Sequence, residues 1–380
     1  MKRLVSVLVA VFFMTGMAVA QNNTATTTQN GNNNSATVDQ QGSNHVSTIE
    51  QNTWGYGHDA VVNQNSGNGN ISDIYQDQRG WSNNSGDFED GAYVDQIGSK
   101  NESRLKQSGP NKAEIYQEGD KNKVGNYSNY QNRAVQINGN SWLNDRNMLD
   151  VDQLGNKNKA GVWQSHYSDA TILQEGTSNE AKVKQTGSAK GTMNTASVDQ
   201  AGSENYADIF QKGEGNDASV RHQHYSNESY QHIEGNNNYT NANIHGDNNV
   251  TDQTQIGNGN WSYAVASYGA IQNTITSEQL GNDNYNKANV SSSYKSVSRE
   301  NLINIIQDGN SNKSYNLVDG NYNEIQVLQE GSGNIAGTHT SYGIKQIGDN
   351  NMADLDQLSN NNTATIHQMG NKNTANIMQD

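Results

Sequence analysis

The sequence predicts an all-β fold, a β-solenoid of stacked strand-turn-strand-turn rungs, each about 22 residues long and built from two 11-residue units. Three observations carry that expectation. Residues 346–379 write one phrase three times, with Gln346, Asn351, Gln357, Asn362, Gln368, Asn373 and Gln379 separated alternately by five and six positions. Between each Asn and the next Gln stand Ala353 and Leu355, Ala364 and Ile366, Ala375 and Ile377, so Asn, Ala, the aliphatic residue and Gln share one face of an extended strand. Glycine follows two positions after many of the glutamines, as at Gly348 and Gly370, where a tight reversal asks for positive φ. An 11-residue period also suits a helix in a right-handed supercoil, but that needs apolar spacings of three and four, and here the spacing is two.

The elements follow in chain order. Residues 1–20 read as a secretory signal peptide: Lys2 and Arg3 precede an apolar run from Leu4 to Met17, and Ala18-Val19-Ala20 supplies the small residues of a cleavage site. That run is shorter than the ~20 residues of a spanning helix. The phrase then fills 21–380 as a single domain. Gln29, Asn34 and Gln40 carry it with Ala36 and Val38. Gln96, Asn101 and Gln107 follow, then Gln153, Asn158 and Gln164, then Gln174, Asn179 and Gln185, then Gln200, Asn205 and Gln211. Gln307 and Gln329 keep the 22-residue step even where Val318 replaces the intermediate Gln. Stacked at the ~4.8 Å strand spacing, these positions would form interior amide ladders around a dry centre of Ala, Val and Ile. The last phrase closes in register at Gln379, and a bare terminal rung would be an open edge for another molecule.

Composition narrows the classes. Only 31% of residues are hydrophobic, Pro110 is the single proline and cysteine is absent, so neither a large aliphatic core nor disulfide staples hold the chain together. Such a composition also suits a disordered Asn/Gln-rich polymer, but low complexity has no reason to keep Ala, Val and Gln in phase. Net charge is −15, and −17 without Lys2 and Arg3, which argues against nucleic acid and anionic membranes as partners.

Insertions interrupt the period at 52–59, 77–91, 139–146, 165–169, 224–230 and 291–300, and they hold Trp54, Tyr56, Trp81, Trp142, Tyr167, Tyr225, Tyr230 and Tyr294. Loops of this kind project from solenoid corners, and Trp54, Tyr56, Trp81, Trp142, Tyr167 and Tyr225 are the candidates for binding glycan or protein. His222 and His224, with His232 nearby, could offer a metal alternate positions of one strand, but neither cysteine nor carboxylate completes a ligand spacing. No nucleophile motif, phosphate loop or cofactor fingerprint occurs, so neither an enzyme nor a cofactor is expected.

The recurring unit resembles the curlin repeat, S-x5-Q-x4-N-x5-Q, of bacterial curli fibre subunits. Gln29-x4-Asn34-x5-Gln40, Gln153-x4-Asn158-x5-Gln164 and the C-terminal copies match its Q-x4-N-x5-Q core. The resemblance implies a secreted functional amyloid that leaves the cell through the periplasm and a dedicated outer-membrane channel, is nucleated by a partner subunit, polymerises with itself into extracellular matrix fibres of a biofilm, and meets matrix protein or glycan. The alternative is a monomeric surface adhesin using the aromatic loops. The chain departs from the family in its length, roughly fourteen to sixteen rungs by repeat counting. It departs also in the repeat's opening Ser, which is Asn at 323 and 373, and in having a strand pattern from Asn23 to Gln29 where most relatives carry a glycine-rich leader.

Overall fold

Alternation of apolar and polar residues over six to ten positions, closed by glycine or asparagine, produces strands throughout the computed structural model. The structure describes residues 22–53, 57–78, 91–109, 111–129, 133–137, 147–188, 191–292, 297–338 and 341–380. The expected signal segment 1–20 lies outside them.

The strands alternate between two parallel sheets. The first runs from Thr24–Asn30 through Val46–Thr53, Ile71–Gln78 and Glu102–Ser108 to Met352–Gln357 and Thr374–Gln379. The second begins with Ser35–Ser43, Asp59–Asn68, Gly91–Ile97 and Asn111–Glu118. Nearly all strands pair in register with the strand of their own sheet one rung away, so Ala181 sits on Ala160 and Ala207 on Ala181; Ser35–Ser43 shifts register after Gln41, and Ala270–Ile271 pairs with Ser298–Arg299 in a small third sheet. The chain is thus a β-solenoid. Its first sheet stacks 15 levels from Thr24–Asn30 to Thr374–Gln379, within the fourteen to sixteen expected, although the period is elastic: laddered glutamines are separated by 21 residues at Gln96–Gln117 and by 36 at Gln117–Gln153.

Between the sheets lies a thin core. In Glu180–Thr186 every second residue is buried, and the interior is made of Ala170, Ile172, Ala181, Val183, Ala207 and Ile209 with their equivalents above and below. This core forms two clusters, one ending at Ile233 and Ala242 and the other beginning at Ile244.

Most described corners use two left-handed residues. One is the glycine two positions after Gln; the other precedes the corner Asn, as at Lys121, Lys157, Ser178 and Glu204 (φ 60–64°). The glycine is required for room as well as for φ. At Gly119 (φ +107°) a Cβ would stand 2.0 Å from the carbonyl oxygen of Gly155 in the next rung.

Two strands are split in a way the period does not signal. In the first sheet Lys123–Asn126 and Ala134–Ile137 share one level between Glu102–Ser108 and Lys159–Ser165, and the chain leaves the sheet after Asn126. Tyr127 reaches to Asp208, and Arg133 pairs with Asp73 (2.8 Å each). In the second sheet Ile335–Thr338 and Ile344–Ile347 share a level, joined by a small hairpin pairing Gly337 with Tyr342. This branching makes a local ring of pairings without wrapping the sheet into a barrel.

The aromatic loops need correction. Trp54, Tyr56, Trp81, Trp142 and Tyr294 lie outside the described residues. No insertion occurs at 224–230: His222 occupies a Gln position, His224 a glycine position (φ 76°), and the corner to Asn227 has its ordinary length, matching that from Gln200 to Asn205. Tyr225 therefore ends the strand Asp217–Tyr225, and Tyr230 lies within Glu228–Glu234. The corner at 165–169 is shortened, with Tyr167 in the turn (φ 25°) and Ser168 in an Asn position facing Asn194.

Candidate functional site: the amide ladders

A self-similar solenoid concentrates its chemistry in rows rather than in a pocket. Glutamine comes after the aliphatic residue on the inward face, so its amide sits at the edge of the core where the chain begins to turn. In the first sheet Gln29, Gln51, Gln76, Gln107, Gln136, Gln164, Gln185 and Gln211 form one run, and Gln255, Gln279, Gln307, Gln329, Gln357 and Gln379 a second, with Ile233 between them. In the second sheet Gln40, Gln64, Gln96, Gln117, Gln153, Gln174 and Gln200 form a run, and Gln346 and Gln368 a pair. His222, Ile244, Ala266, Val290 and Val318 fill the row between.

Within every run Nε2 donates to Oε1 of the glutamine one rung on, at 2.7–3.1 Å, always toward the higher residue number. The same Nε2 also donates to a backbone carbonyl of the opposite sheet, as Gln153 does to Lys123 (3.1 Å). Such pairing lets a buried amide meet the demand of its donors and acceptor without water.

Asparagine forms part of the expected amide-on-amide ladder, as where Asn205 Nδ2 donates to Asn179 Oδ1 (3.1 Å) and Asn373 Nδ2 to Asn351 Oδ1 (2.8 Å), and it also serves the backbone of the corner. Its Oδ1 accepts the backbone N–H of the corner residue one rung on, and its Nδ2 donates to a corner carbonyl there. Asn122 N–H donates to Asn101 Oδ1 (3.0 Å), and Asn101 Nδ2 donates to the Gly119 carbonyl (2.8 Å). Each Asn therefore satisfies backbone groups that a tight corner would leave unpaired. Asn158, Asn179, Asn205, Asn351 and Asn373 continue the column of Asn101, while Asn34 and Asn362 belong to the other corner. His45 stands in the first column, its Nδ1 receiving Asn70 N–H at 3.2 Å.

Gln96, Asn101, Gln107, Gln153, Asn158, Gln164, Gln174, Asn179, Gln185, Gln200, Asn205, Gln211, Gln346, Asn351, Gln357 and Gln368 are buried. Asn34, Gln40, Asn362, Asn373 and Gln379 are half-buried, and Gln29 is exposed, because they lie in the end rungs. The sequence reading omitted Gln51, Gln64, Gln76, Gln117, Gln136, Gln255 and Gln279. Most of these lack an Asn five positions on, though each except Gln279 and Gln255 has an aliphatic residue two positions before it as a signal on the inward face or beside the core.

The histidines are dispersed. His222 is buried inside with Nε2 on Ser229 Oγ (2.7 Å), and desolvation lowers its pKa to about 3; burial likewise lowers that of His58 to about 4. His232 faces outward and stacks on Phe210. Among the described residues no group of three or more His, Cys, Asp or Glu side chains is arranged to hold a metal ion. Outward carboxylates also stack: Asp150 and Asp152 lie near Glu114, and burial, then mutual repulsion, raises both pKa values.

The model of the curlin associated repeat matches residues 20–52, 191–221 and 320–358. The chain carries curlin associated repeats. The three matched stretches lie at its two ends and its middle, and the same rows run through the rungs between them. No curated protein matches the chain. Among the described residues no helix is long and apolar enough to cross a membrane.

Proposed function

We propose that this protein is a secreted structural subunit that self-assembles into curli-like extracellular amyloid fibres of a biofilm matrix, supporting adhesion and aggregation. The observation that carries the reading is the directional stacking. The glutamine amide bonds all donate toward the higher residue number, asparagine amide bonds donate the other way, and the stack reaches two end strands, Thr24–Asn30 and Thr374–Gln379, each paired on one side among the described residues. An edge of that kind, with its own backbone donors and acceptors, is a template for another strand, and the glutamine row ends on the Gln29 amide at one end and the Gln379 amide at the other. Ala36 and Val38 at one end, and Ala375 and Ile377 at the other, pack only partly against the core and would gain burial from a second copy.

On this reading the first partner is the protein itself. A nucleating subunit, an outer-membrane curli export channel and matrix protein or glycan are further proposed partners, and residues 1–20 are proposed to direct export. The test is to dilute unfolded chain into buffer and follow thioflavin fluorescence with and without preformed seeds. Seeded growth without a lag is expected. A stable monomer that ignores seeds would contradict the fibre and leave the surface adhesin.

A further inference from the structure

The two core clusters meet at a stretch where the inward rows change chemistry. In the first sheet the Ala row becomes Ser229 and Thr251, the aliphatic row becomes Gln231, Gln253 and Ser277, and Ile233 stands in the glutamine row. In the second sheet Thr240, Ser262 and Asn286 replace Ala, and Ala242, Ala264 and Ala288 replace Val. All of these are buried. A polar network crosses between the sheets, Gln231 to Gln253, Gln253 to Ser262 and Ser262 to Ser277 (2.9–3.2 Å), but it is incomplete. Gln231 Oε1, Thr240 Oγ1, His222 Nδ1 and both amide atoms of Asn286 find no partner. A half-satisfied interior contributes less than an apolar one.

Outside these rungs, the surface changes in the opposite sense. On the outer face of the second sheet Tyr239, Trp261, Tyr263, Tyr285 and Tyr315 form a continuous cluster over four successive strands, with neighbouring centroids 4.9–6.2 Å apart. Tyr239 and Trp261 are stacked at 27°. The cluster spans Tyr239–Ile244, Trp261–Ala266, Tyr285–Ser291 and Lys313–Asp319, and all four carry a polar residue in the Ala row inside, Thr240, Ser262, Asn286 and Ser314.

We infer that the aromatic cluster is an external clamp that holds closed a weak polar seam of the solenoid, so that rungs 229–290 open as a unit of their own when the clamp is released. In the rungs from Asn147 to Lys212 the interior is held by Ala, aliphatic and Gln rows; here side-chain cohesion has moved to the outer face. Local opening of a contiguous unit is the ordinary behaviour of a chain whose neighbouring rungs differ in cohesion.

Hydrogen exchange of the folded chain, read by mass spectrometry, tests this with three variants. Trp261→Ala removes two ring contacts and is expected to speed exchange of Glu228–Glu234, Tyr239–Ile244, Val250–Ile256, Trp261–Ala266, Thr274–Leu280 and Tyr285–Ser291 at least roughly ten-fold. Strands from Asn147 to Lys212 should change less than about two-fold. Trp261→Tyr, which keeps a stacking ring, should restore most of the protection. Trp163→Ala, an outward tryptophan remote from the cluster, should leave the seam unchanged. Equal acceleration of all strands, no acceleration of the seam, or global unfolding of Trp261→Ala while Trp163→Ala folds would each overturn a local clamp.

Discussion

Gln357 shows what one ladder residue contributes. It is fully buried, accepts from Gln329 at 2.8 Å and donates to Gln379 at 2.9 Å. Gln357→Ala leaves a donor of Gln329 and the acceptor of Gln379 without that partner, and is expected to destabilise the fold by about 2 kcal/mol. The outward Asp354→Ala should stay within about 0.5 kcal/mol. Urea midpoints of the two variants check the contrast. His222 supplies a prediction in pH. The folded state keeps it neutral down to about pH 3, whereas the unfolded chain takes up a proton near 6.5. Stability from this residue is therefore fully present above pH 6.5 and falls on acidification, at up to ~1.4 kcal/mol per unit, until about pH 3. Asp150 and Asp152, with raised folded pKa values, act oppositely and favour the fold as the pH falls. His222→Gln removes the histidine slope and returns a glutamine to the row above Gln200, so the excess of this variant's urea midpoint over that of the parent should grow as the pH falls from 6.5 toward 3.

At the scale of the element, the corner decides. Gly119→Ala forces a side chain into a left-handed conformation and against the Gly155 carbonyl, so it is expected to cost at least about 3 kcal/mol, read as a lowered thermal midpoint. Strands such as Glu180–Thr186 were legible because Ala181, Val183 and Gln185 stand at the spacing that faces inward. The strand Glu228–Glu234 was not, because Gln231 and Ile233 exchange places on the same face; alternation survives while the motif disappears. The same substitution of types hid the corner at His222 and His224 and made Tyr225 and Tyr230 look like loop residues. The excursion after Asn126 was illegible for another reason: it leaves from mid-strand, where no turn signal is required by the period. Among the candidate positions, the sequence located glutamines and asparagines in the same rows, but the division of labour between them depends on which groups a corner leaves unpaired, and spacing alone does not contain that.

At the scale of the whole molecule, the rung is cohesive only in company. Its interior is a few Ala and aliphatic residues, and its hydrogen bonds run along the axis to neighbours, so cohesion is gained rung by rung in the manner of repeat proteins. The same geometry sets the orientation of any polymer: strands lie across the solenoid axis and hydrogen bonds along it. The most direct measurement is X-ray diffraction from aligned fibres of this chain. The account requires a ~4.8 Å reflection on the meridian, because rungs stack along the fibre axis at strand spacing. Fibres with that reflection on the equator, or with none at that spacing, would contradict it.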